Sequence, residues 1–226
     1  MQSSAETLLQ RLSKRGLHCR RLHVYSVYVD TKDRILEQSL LELERSGVDG
    51  FSLRAVGTAV GVTPMAIYRH FHDKDHLLEA VGEQAFAQWQ QRIVAIKVRD
   101  PVQWFRRSSL AYIEFALDEP ERFDACFVLK TNVERLYPQG FAAKRSPVIT
   151  LAMEQIEAAQ AAGKLRKGDP LEMTLFVWAQ LHGLAMLHRS GRFTLKRAEF
   201  LALCERCIDR SLMALRPERR SRGKSA

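Results

Sequence analysis

Side chains that donate hydrogen bonds cluster between residues 63 and 74 of this 226-residue chain. Thr63, Tyr68, His70 and Lys74 each carry an O–H or N–H group, and Arg69 lies among them. Phosphate oxygens accept hydrogen bonds from these side-chain types, and an arginine can bind a guanine through two parallel bonds. The cluster therefore suits contact with a nucleic acid.

Sequence patterns of catalysis or metal binding are lacking. The chain has no glycine-rich phosphate loop, no Gly-x-Ser-x-Gly elbow and no His-Glu-x-x-His pair. Cys204 and Cys207 have the spacing of half a zinc site, but two further ligands are missing at the usual distances. We interpret both cysteines as small core or interface residues, and we predict no metal, no cofactor and no enzymatic activity.

Prolines that follow a Ser, Thr or Asp mark the expected starts of helices. Thr63, Asp100, Ser146 and Asp169 each precede a proline, so each side chain can accept a free backbone N–H while proline occupies the first helical position. Apolar residues recur at helical spacing between these points, and strand signals are confined to residues 24–29. The sequence predicts an all-α protein of about nine helices. After a first helix that ends near Gly47, they are expected at residues 53–60, 64–70, 74–96, 101–118, 120–130, 146–162, 170–189 and 195–215.

The charge distribution is compatible with nucleic-acid binding. The 35 Lys and Arg against 26 Asp and Glu give a net charge of +9, but residues 31–80 carry six basic and eight acidic groups. DNA affinity is therefore expected from a focused patch, helped by a basic arm between Arg11 and Arg21.

No apolar run reaches about 18 residues, and the start does not have the pattern of a signal peptide. We expect a cytoplasmic protein without a membrane span.

Two short helices joined by the turn Gly61-Val62-Thr63 predict a helix-turn-helix. Gly57 is small enough to let the two helices approach, and Gly61 can adopt the positive φ that the turn needs. Thr63 is expected to cap the second helix. The N-terminal amides of that helix can then meet a phosphate or enter the major groove.

Five short segments carry a family resemblance: Phe51-Ser52-Leu53-Arg54, Val60-Gly61-Val62-Thr63, Ile67-Tyr68-Arg69-His70-Phe71, Asp73-Lys74 and Leu77-Leu78. Through them, residues 32–78 resemble the DNA-binding domain of TetR-type transcriptional regulators. Further along, Trp178, His182 and Gly183 resemble the Trp/His-Gly signature of one class of TetR C-terminal domain. The resemblance implies a three-helix DNA-binding domain (30–75) and an effector-binding and dimerisation domain (76–215). Outside it, we expect a basic, poorly ordered N-terminal extension (1–29) and a basic tail (216–226).

The resemblance implies DNA contacts for nine residues. Met65 and Ala66 have no side-chain hydrogen-bonding group for a base, so they are expected to contact thymine methyl groups or to contribute indirectly. Ser52 and Arg54 are expected near phosphates or a base edge. Thr63, Tyr68, His70 and Lys74 are expected on backbone phosphates, and Met65, Ala66 and Arg69 opposite bases or the adjacent backbone.

Structural roles remain open for four of these residues. Tyr68 could be a half-buried core tyrosine, His70 a structural histidine and Arg69 a solvated side chain. Lys74 could pair with Asp73 or Glu79 on the helix surface.

Aromatic residues at helical spacing in the C-terminal half predict a packed core. The family resemblance adds an effector cavity inside it, with the long helix 74–96 connecting that cavity to the recognition helix. The effector is expected to be largely apolar, and His182 could instead be a core histidine. The expected lining is Trp104, Tyr112, Phe115, Phe127, Trp178 and His182.

Residues 171–187 are apolar on almost every side, and such a helix must be covered all round. The last helix carries a second apolar stripe, so two helices from each subunit would form a four-helix interface about a two-fold axis. Alternatively, Gly183 eases packing within one subunit. The expected interface residues are Leu175, Gly183, Leu201, Cys204, Ile208 and Leu212.

These features predict a sequence-specific DNA-binding transcriptional regulator, a repressor that a small-molecule effector releases from a palindromic double-stranded DNA operator. One alternative is an all-α enzyme or a small-molecule-binding protein without sequence-specific DNA binding. Another is a nonspecific nucleoid or scaffold protein. Sequence-selective retention of DNA, compared with turnover of small molecules, would discriminate among these classes.

Overall fold

The computed structural model describes residues 19–128 and 137–218, with side chains from residue 31 onward except that of residue 142. The predicted basic arm lies largely outside the described residues, as does most of the predicted basic tail. Within the described part of the chain, no helix has the length and apolar character needed to cross a bilayer.

Helices make up all the regular structure of the described residues, which confirms the all-α class. Ten are present there, one more than the sequence predicted, because a single turn at Gln139–Ala142 is too short to show a hydrophobic period. They are α1 (Cys19–Gly50), α2 (Leu53–Val60), α3 (Pro64–Ile67), α4 (Lys74–Val94), α5 (Pro101–Asp118), α6 (Pro120–Phe127), α7 (Gln139–Ala142), α8 (Pro147–Ala161), α9 (Pro170–Arg189) and α10 (Arg197–Ala214).

Helix α1 begins earlier than predicted. It starts at Cys19, so residues 24–29, the one expected strand signal, are helical, and so is the last part of the predicted N-terminal extension. β-branched residues lower helix propensity by less than about 1 kcal/mol each. Extending a formed helix needs no new nucleation, so the amphipathic segment after residue 30 can continue backward through this run. Near its other end α1 is kinked at Gly47, where φ is 67°.

The described residues divide into two compact units, with the boundary between residues 81 and 82. The division lies six residues beyond the predicted domain boundary at residue 75, because the first turns of α4 bury Leu77 and Val81 and belong to the first unit. That unit has a small core that includes Ile35, Val56 and Ile67, all at most 1% exposed.

The second unit packs its helices around an aromatic core that includes Trp89, Phe123 and Phe200. Its helix starts follow the predicted Asp-Pro and Ser-Pro pairs. Asp100 and Asp169 each accept two backbone N–H groups at the starts of α5 and α9, as expected of N-caps. Ser146 precedes α8 as predicted, but its side chain makes no capping bond.

Candidate nucleic-acid interface and effector cavity

Helix α2 is fixed at both ends by side chains. At its start the Ser52 hydroxyl accepts a hydrogen bond from the Ala55 N–H at 3.3 Å. At its end the Arg34 guanidinium donates to the Val60 carbonyl at 2.7 Å, a cap that the motif did not reveal because Arg34 lies far away on α1. Arg54 is exposed in the first turn of α2, where it is accessible to a ligand.

The turn between α2 and α3 depends on two glycines, as predicted. Gly61 adopts φ 79°, and its N–H donates to the Gly57 carbonyl at 2.9 Å. A Cβ atom at Gly57 would lie 2.7 Å from the backbone oxygen of Val62, far inside van der Waals contact. The turn can therefore pass this close to α2 only because residue 57 has no side chain.

Helix α3 is shorter than the predicted 64–70. The Thr63 hydroxyl accepts a hydrogen bond from the Ala66 N–H at 3.2 Å and caps the helix, as predicted. The helix ends at Ile67, and residues 68–70 continue as a turn. Tighter i→i+3 bonds hold this turn, from the Arg69 N–H to the Ala66 carbonyl at 3.3 Å and from the His70 N–H to the Ile67 carbonyl at 2.9 Å.

One face of α3 and the following turn is anchored, and the other is accessible. Ile67 is 1% exposed and Phe71 is equally buried. In contrast, Met65 is 71% and Tyr68 42% exposed, so both side chains are accessible. The predicted contact residues Thr63 and Arg69 are also exposed, and Ala66 is half-buried.

The acidic residues of the first unit lie outside the motif. Between residues 50 and 72 the chain carries Arg54 and Arg69 and no Asp or Glu. The eight carboxylates behind the net charge of residues 31–80 precede or follow this segment. The motif itself is therefore electropositive, as the focused patch requires.

His70 is half-buried beside a cation that the sequence analysis missed. Burial, and then the positive charge of Lys32, lower the pKa of His70 below its ordinary value. The imidazole is therefore neutral near pH 7 and can donate one hydrogen bond. The Lys32 ammonium lies 5.7 Å from the centre of the Phe71 ring. Lys32 is the first residue of the family-like segment, but it lies more than twenty positions before the motif.

Lys74 has neighbours that the sequence did not indicate. Its ammonium donates to the Phe51 carbonyl at 3.4 Å and lies 5.4 Å from the centre of the Phe51 ring. The carboxylate of Asp73, one of the two alternative partners, accepts the His76 N–H at 2.7 Å. A phosphate contact by Lys74 thus remains a prediction.

Comparison with known proteins identifies both halves of the chain. Residues 35–81 match the N-terminal domain described as bacterial regulatory proteins, tetR family. Residues 105–211 match a tetracyclin repressor-like C-terminal domain. The chain carries both domains of a TetR-family regulator.

Relatives and solved structures agree with this assignment. The HTH-type transcriptional repressor Rv1474c of Mycobacterium tuberculosis is 23% identical over 171 residues, which cover 73% of this chain and 86% of that protein. The HTH-type transcriptional repressor NicS of Pseudomonas putida is 26% identical over 183 residues, covering 76% and 81%. A Rhodococcus sp. RHA1 protein of unknown function superposes with a TM-score of 0.68 at 27% identity, covering 83% of this chain and 96% of that one.

A TetR-family transcriptional regulator from Pectobacterium atrosepticum shares the fold, with a TM-score of 0.66 at 22% identity over 86% of this chain and 98% of that one. The chain is a DNA-binding transcriptional regulator and not an enzyme. Membership of the Trp/His-Gly subgroup remains a prediction.

The second unit of the regulator contains a cavity of about 250 Å³. Of the six residues predicted to line it, Trp104, Tyr112, Phe127 and Trp178 do so. The described lining contains further aromatic, aliphatic and small polar residues that helical periodicity could not separate from plain core. These are Phe86, Trp89, Ile93, Phe105, Ser108, Ser109, Cys126, Phe141, Ser146, Val148, Ile149, Ala152, Thr174, Val177 and Leu181.

Phe115 and His182 lie outside the described lining, which corrects the prediction for both. Phe115 stacks on Trp89 with ring centres 5.2 Å apart and nearly parallel planes. His182 Nδ1 lies 2.9 Å from the hydroxyl of Tyr112. The histidine therefore contacts a lining residue without lining the cavity itself. Burial lowers the pKa of His182, opposed by the negative charge of Asp124, and burial raises the pKa of Tyr112.

Three of the predicted interface residues belong to the core of one chain. Cys204, Ile208 and Leu212 are buried among the other core residues of the second unit, and burial raises the pKa of the Cys204 thiol to about 12. The prediction is corrected for these three, because a helical apolar stripe shows that a face is buried without showing which chain covers it. Leu201 is half-buried.

Other apolar side chains of α9 and α10 are exposed. Phe176 is 50% and Met213 62% exposed, and Leu187 is similarly accessible. Leu175 and Gly183 are partly exposed on α9. A Cβ atom at Gly183 would meet no atom of the described residues within 4 Å, so packing within one subunit does not require this glycine.

Proposed function

We propose that this regulator is a homodimeric repressor that binds a palindromic DNA operator and leaves it when a small molecule fills the cavity of the second unit. The observation that supports the proposal best is the exposure of Met65, Tyr68 and Arg69 next to the capped start of α3. Large side chains are exposed there, within a segment that has cationic but no acidic residues.

The proposed DNA contacts are of two kinds, one made by an arginine and the other by hydroxyl groups. Arg69 reads a base edge or holds the adjacent backbone, and Thr63 and Tyr68 donate to phosphates. The Thr63 oxygen accepts from the Ala66 N–H, so its own hydrogen is available for a phosphate. Arg54 adds a cation at the start of α2. Ser52, Ala66, His70 and Lys74 complete the proposed set.

Effector release requires that the ligand prefer the conformation that does not bind DNA. Helix α4 is the element that belongs to both units: Lys74 is its first residue, and Phe86, Trp89 and Ile93 of its later turns line the cavity. A ligand that shifts these aromatic side chains acts on the same helix that follows the DNA-binding turn. The loss of DNA affinity then equals the differential affinity of the ligand for the two states.

A second copy of the chain covers the exposed apolar face of α9 and α10. Phe176, Leu187 and Met213 gain burial there, and Gly183 lets the two copies approach closely. Two recognition helices related by a two-fold axis then match the two halves of a palindrome. Such a regulator acts where the chromosome is, in the bacterial cytoplasm.

The proposal is tested with DNA from upstream of the regulator's own gene. In a gel-shift titration against excess unrelated DNA, the wild-type protein is expected to retain the upstream fragment selectively. If Arg69 reads a base, Arg69→Ala reduces this selectivity by about 1–3 kcal/mol, whereas Lys97→Ala removes the same charge from an exposed site outside the motif and leaves it unchanged. Equal retention of both DNAs would instead indicate a nonspecific nucleoid protein.

A further inference from the structure

Two hydroxyl groups of the cavity wall form no hydrogen bond with the described residues. Ser109 on α5 and Ser146 before α8 are each 4% exposed, and both line the cavity. Within the described part of the chain neither hydroxyl is hydrogen-bonded, and Ser146 does not cap its own helix. Both hydroxyls are therefore available to donate or accept a hydrogen bond with a molecule in the cavity.

The other hydroxyls of the cavity already have partners. Ser108 donates to the Phe105 carbonyl at 3.0 Å, and Thr174 donates to the Pro170 carbonyl at 2.8 Å. The Tyr112 hydroxyl lies 2.9 Å from His182 Nδ1. Among the hydroxyl groups of the described lining, those of Ser109 and Ser146 are therefore the two left without a partner.

Charge and size restrict the occupant further. None of the lining residues that the structure describes carries a formal charge, so an ionic ligand would lose its hydration without a counter-ion there. At the packing density of protein interiors, a cavity of about 250 Å³ accommodates roughly a dozen non-hydrogen atoms. Aromatic rings such as those of Trp89, Trp104 and Trp178 form much of the wall, and rings stack on rings.

We infer that the effector is a neutral, compact aromatic molecule of roughly a dozen non-hydrogen atoms, whose polar oxygen binds Ser109 and Ser146. The inference rests on the proposed function only in calling this molecule the effector. The binding itself can be measured without DNA.

All three tryptophans of the chain line the cavity, so intrinsic fluorescence reports on this site. Three related probes separate the contributions of charge and hydrogen bonding: 4-propylphenol, propylbenzene and 4-propylbenzoate. We expect 4-propylphenol to change the tryptophan emission saturably and to bind at least about tenfold more tightly than propylbenzene, because its oxygen adds a hydrogen bond with each of the two serines. The carboxylate is expected to bind at least a hundredfold more weakly than the phenol. Equal or tighter binding of 4-propylbenzoate would overturn the inference, as would the absence of binding by all three probes.

Serine variants test which hydroxyls hold the ligand. Ser109→Ala and Ser146→Ala are each expected to weaken 4-propylphenol binding severalfold and to leave propylbenzene binding unchanged. Neither change removes a hydrogen bond within the protein, so both variants should fold. Ser108→Ala is the matched control, since its hydroxyl lines the same cavity but is already paired, and it should retain wild-type affinity. If Ser108→Ala weakens phenol binding and the other two variants do not, the assignment of the polar contact is wrong.

A gel-shift titration on the upstream DNA separates failure of this inference from failure of the proposed function. Release of the DNA by 4-propylphenol, and not by 4-propylbenzoate, supports both the proposed function and the ligand class. Selective DNA binding by a protein whose cavity binds none of the probes overturns the ligand class alone. Probe binding by a protein with no DNA preference overturns the proposed function and leaves the ligand class intact.

Discussion

At the residue scale, the turn of the DNA-binding motif depends on two glycines, which lack a Cβ atom, and on one side-chain cap. Gly57 allows the Val62 carbonyl to lie where a Cβ atom would be only 2.7 Å away. Gly61 supplies a positive φ, and Thr63 supplies the cap. These requirements are local, so a short segment of sequence contains the information needed to predict them.

Substitution of Gly57 by alanine tests the close approach. Overpacking against backbone costs about 1–3 kcal/mol, and the better helix propensity of alanine returns up to about 1 kcal/mol. We expect Gly57→Ala to destabilise the protein by about 1–2 kcal/mol in urea unfolding monitored by circular dichroism. The exposed Thr58→Ala, on the same helix, should stay within about 0.5 kcal/mol of wild type. A Gly57→Ala protein as stable as wild type would show that the turn can move aside at no cost.

Other residues could not be placed from sequence because their roles depend on distant neighbours. Lys74 bonds to Phe51, 23 positions earlier, and His182 contacts Tyr112, 70 positions away. The residue types show only that one side chain is a cation and the other an imidazole, both able to form hydrogen bonds. Which partner each would have was a property of the tertiary fold.

At the element scale, helix starts were predictable and helix lengths less so. The Ser-Pro and Asp-Pro pairs located the starts of α5, α8 and α9 because proline at the first helical position is a local signal, which the Asp caps of α5 and α9 reinforce. The end of α3 at Ile67 was missed because its last turn tightens gradually into i→i+3 bonds. The apolar stripe of α10 was recognised, but its burial against the chain's own core was not, since periodicity identifies a face and not its partner.

Two helix starts in the same unit provide a matched test of capping. The Asp169 carboxylate accepts the Leu171 N–H at 2.7 Å and the Glu172 N–H at 3.2 Å, whereas Ser146 makes no such bond. Asp169→Ala is expected to lower the free energy of unfolding by about 1 kcal/mol, within a range of 0.5–2. Ser146→Ala should change it by less than about 0.5 kcal/mol. Equal losses in thermal unfolding would mean that the Ser146 hydroxyl does cap α8.

At the scale of the whole molecule, the sequence indicated the two-part organisation through the family resemblance, and the structure divides at residue 81. Four of six predicted cavity residues line the cavity, but the two serines that give it hydrogen-bonding character were not singled out. Serine is common in helices and at caps, so its type and spacing carry little information until burial and missing partners are known.

The exposed apolar face of α9 and α10 predicts the effect of a bulky residue at position 183. Gly183→Leu meets open space within one chain, so the variant should fold with wild-type helix content. In a homodimer the added side chains would push the two copies apart and shift the protein toward monomer. Sedimentation velocity at low micromolar concentration measures this shift. Ala158→Leu, which adds a leucine at an exposed position of α8, serves as control and should leave the sedimentation coefficient unchanged. A Gly183→Leu protein that remains a tight dimer would place the interface elsewhere.

The central claim is that two copies of the motif read one palindromic operator, and selection of bound DNA from a random library tests it most directly. The account predicts an enriched inverted repeat whose half-sites lie about one helical turn apart, roughly 34 Å between centres. Sequencing of the retained pool gives both the half-site and its spacing. Enrichment of a single asymmetric site, or no enrichment over unselected DNA, would contradict it.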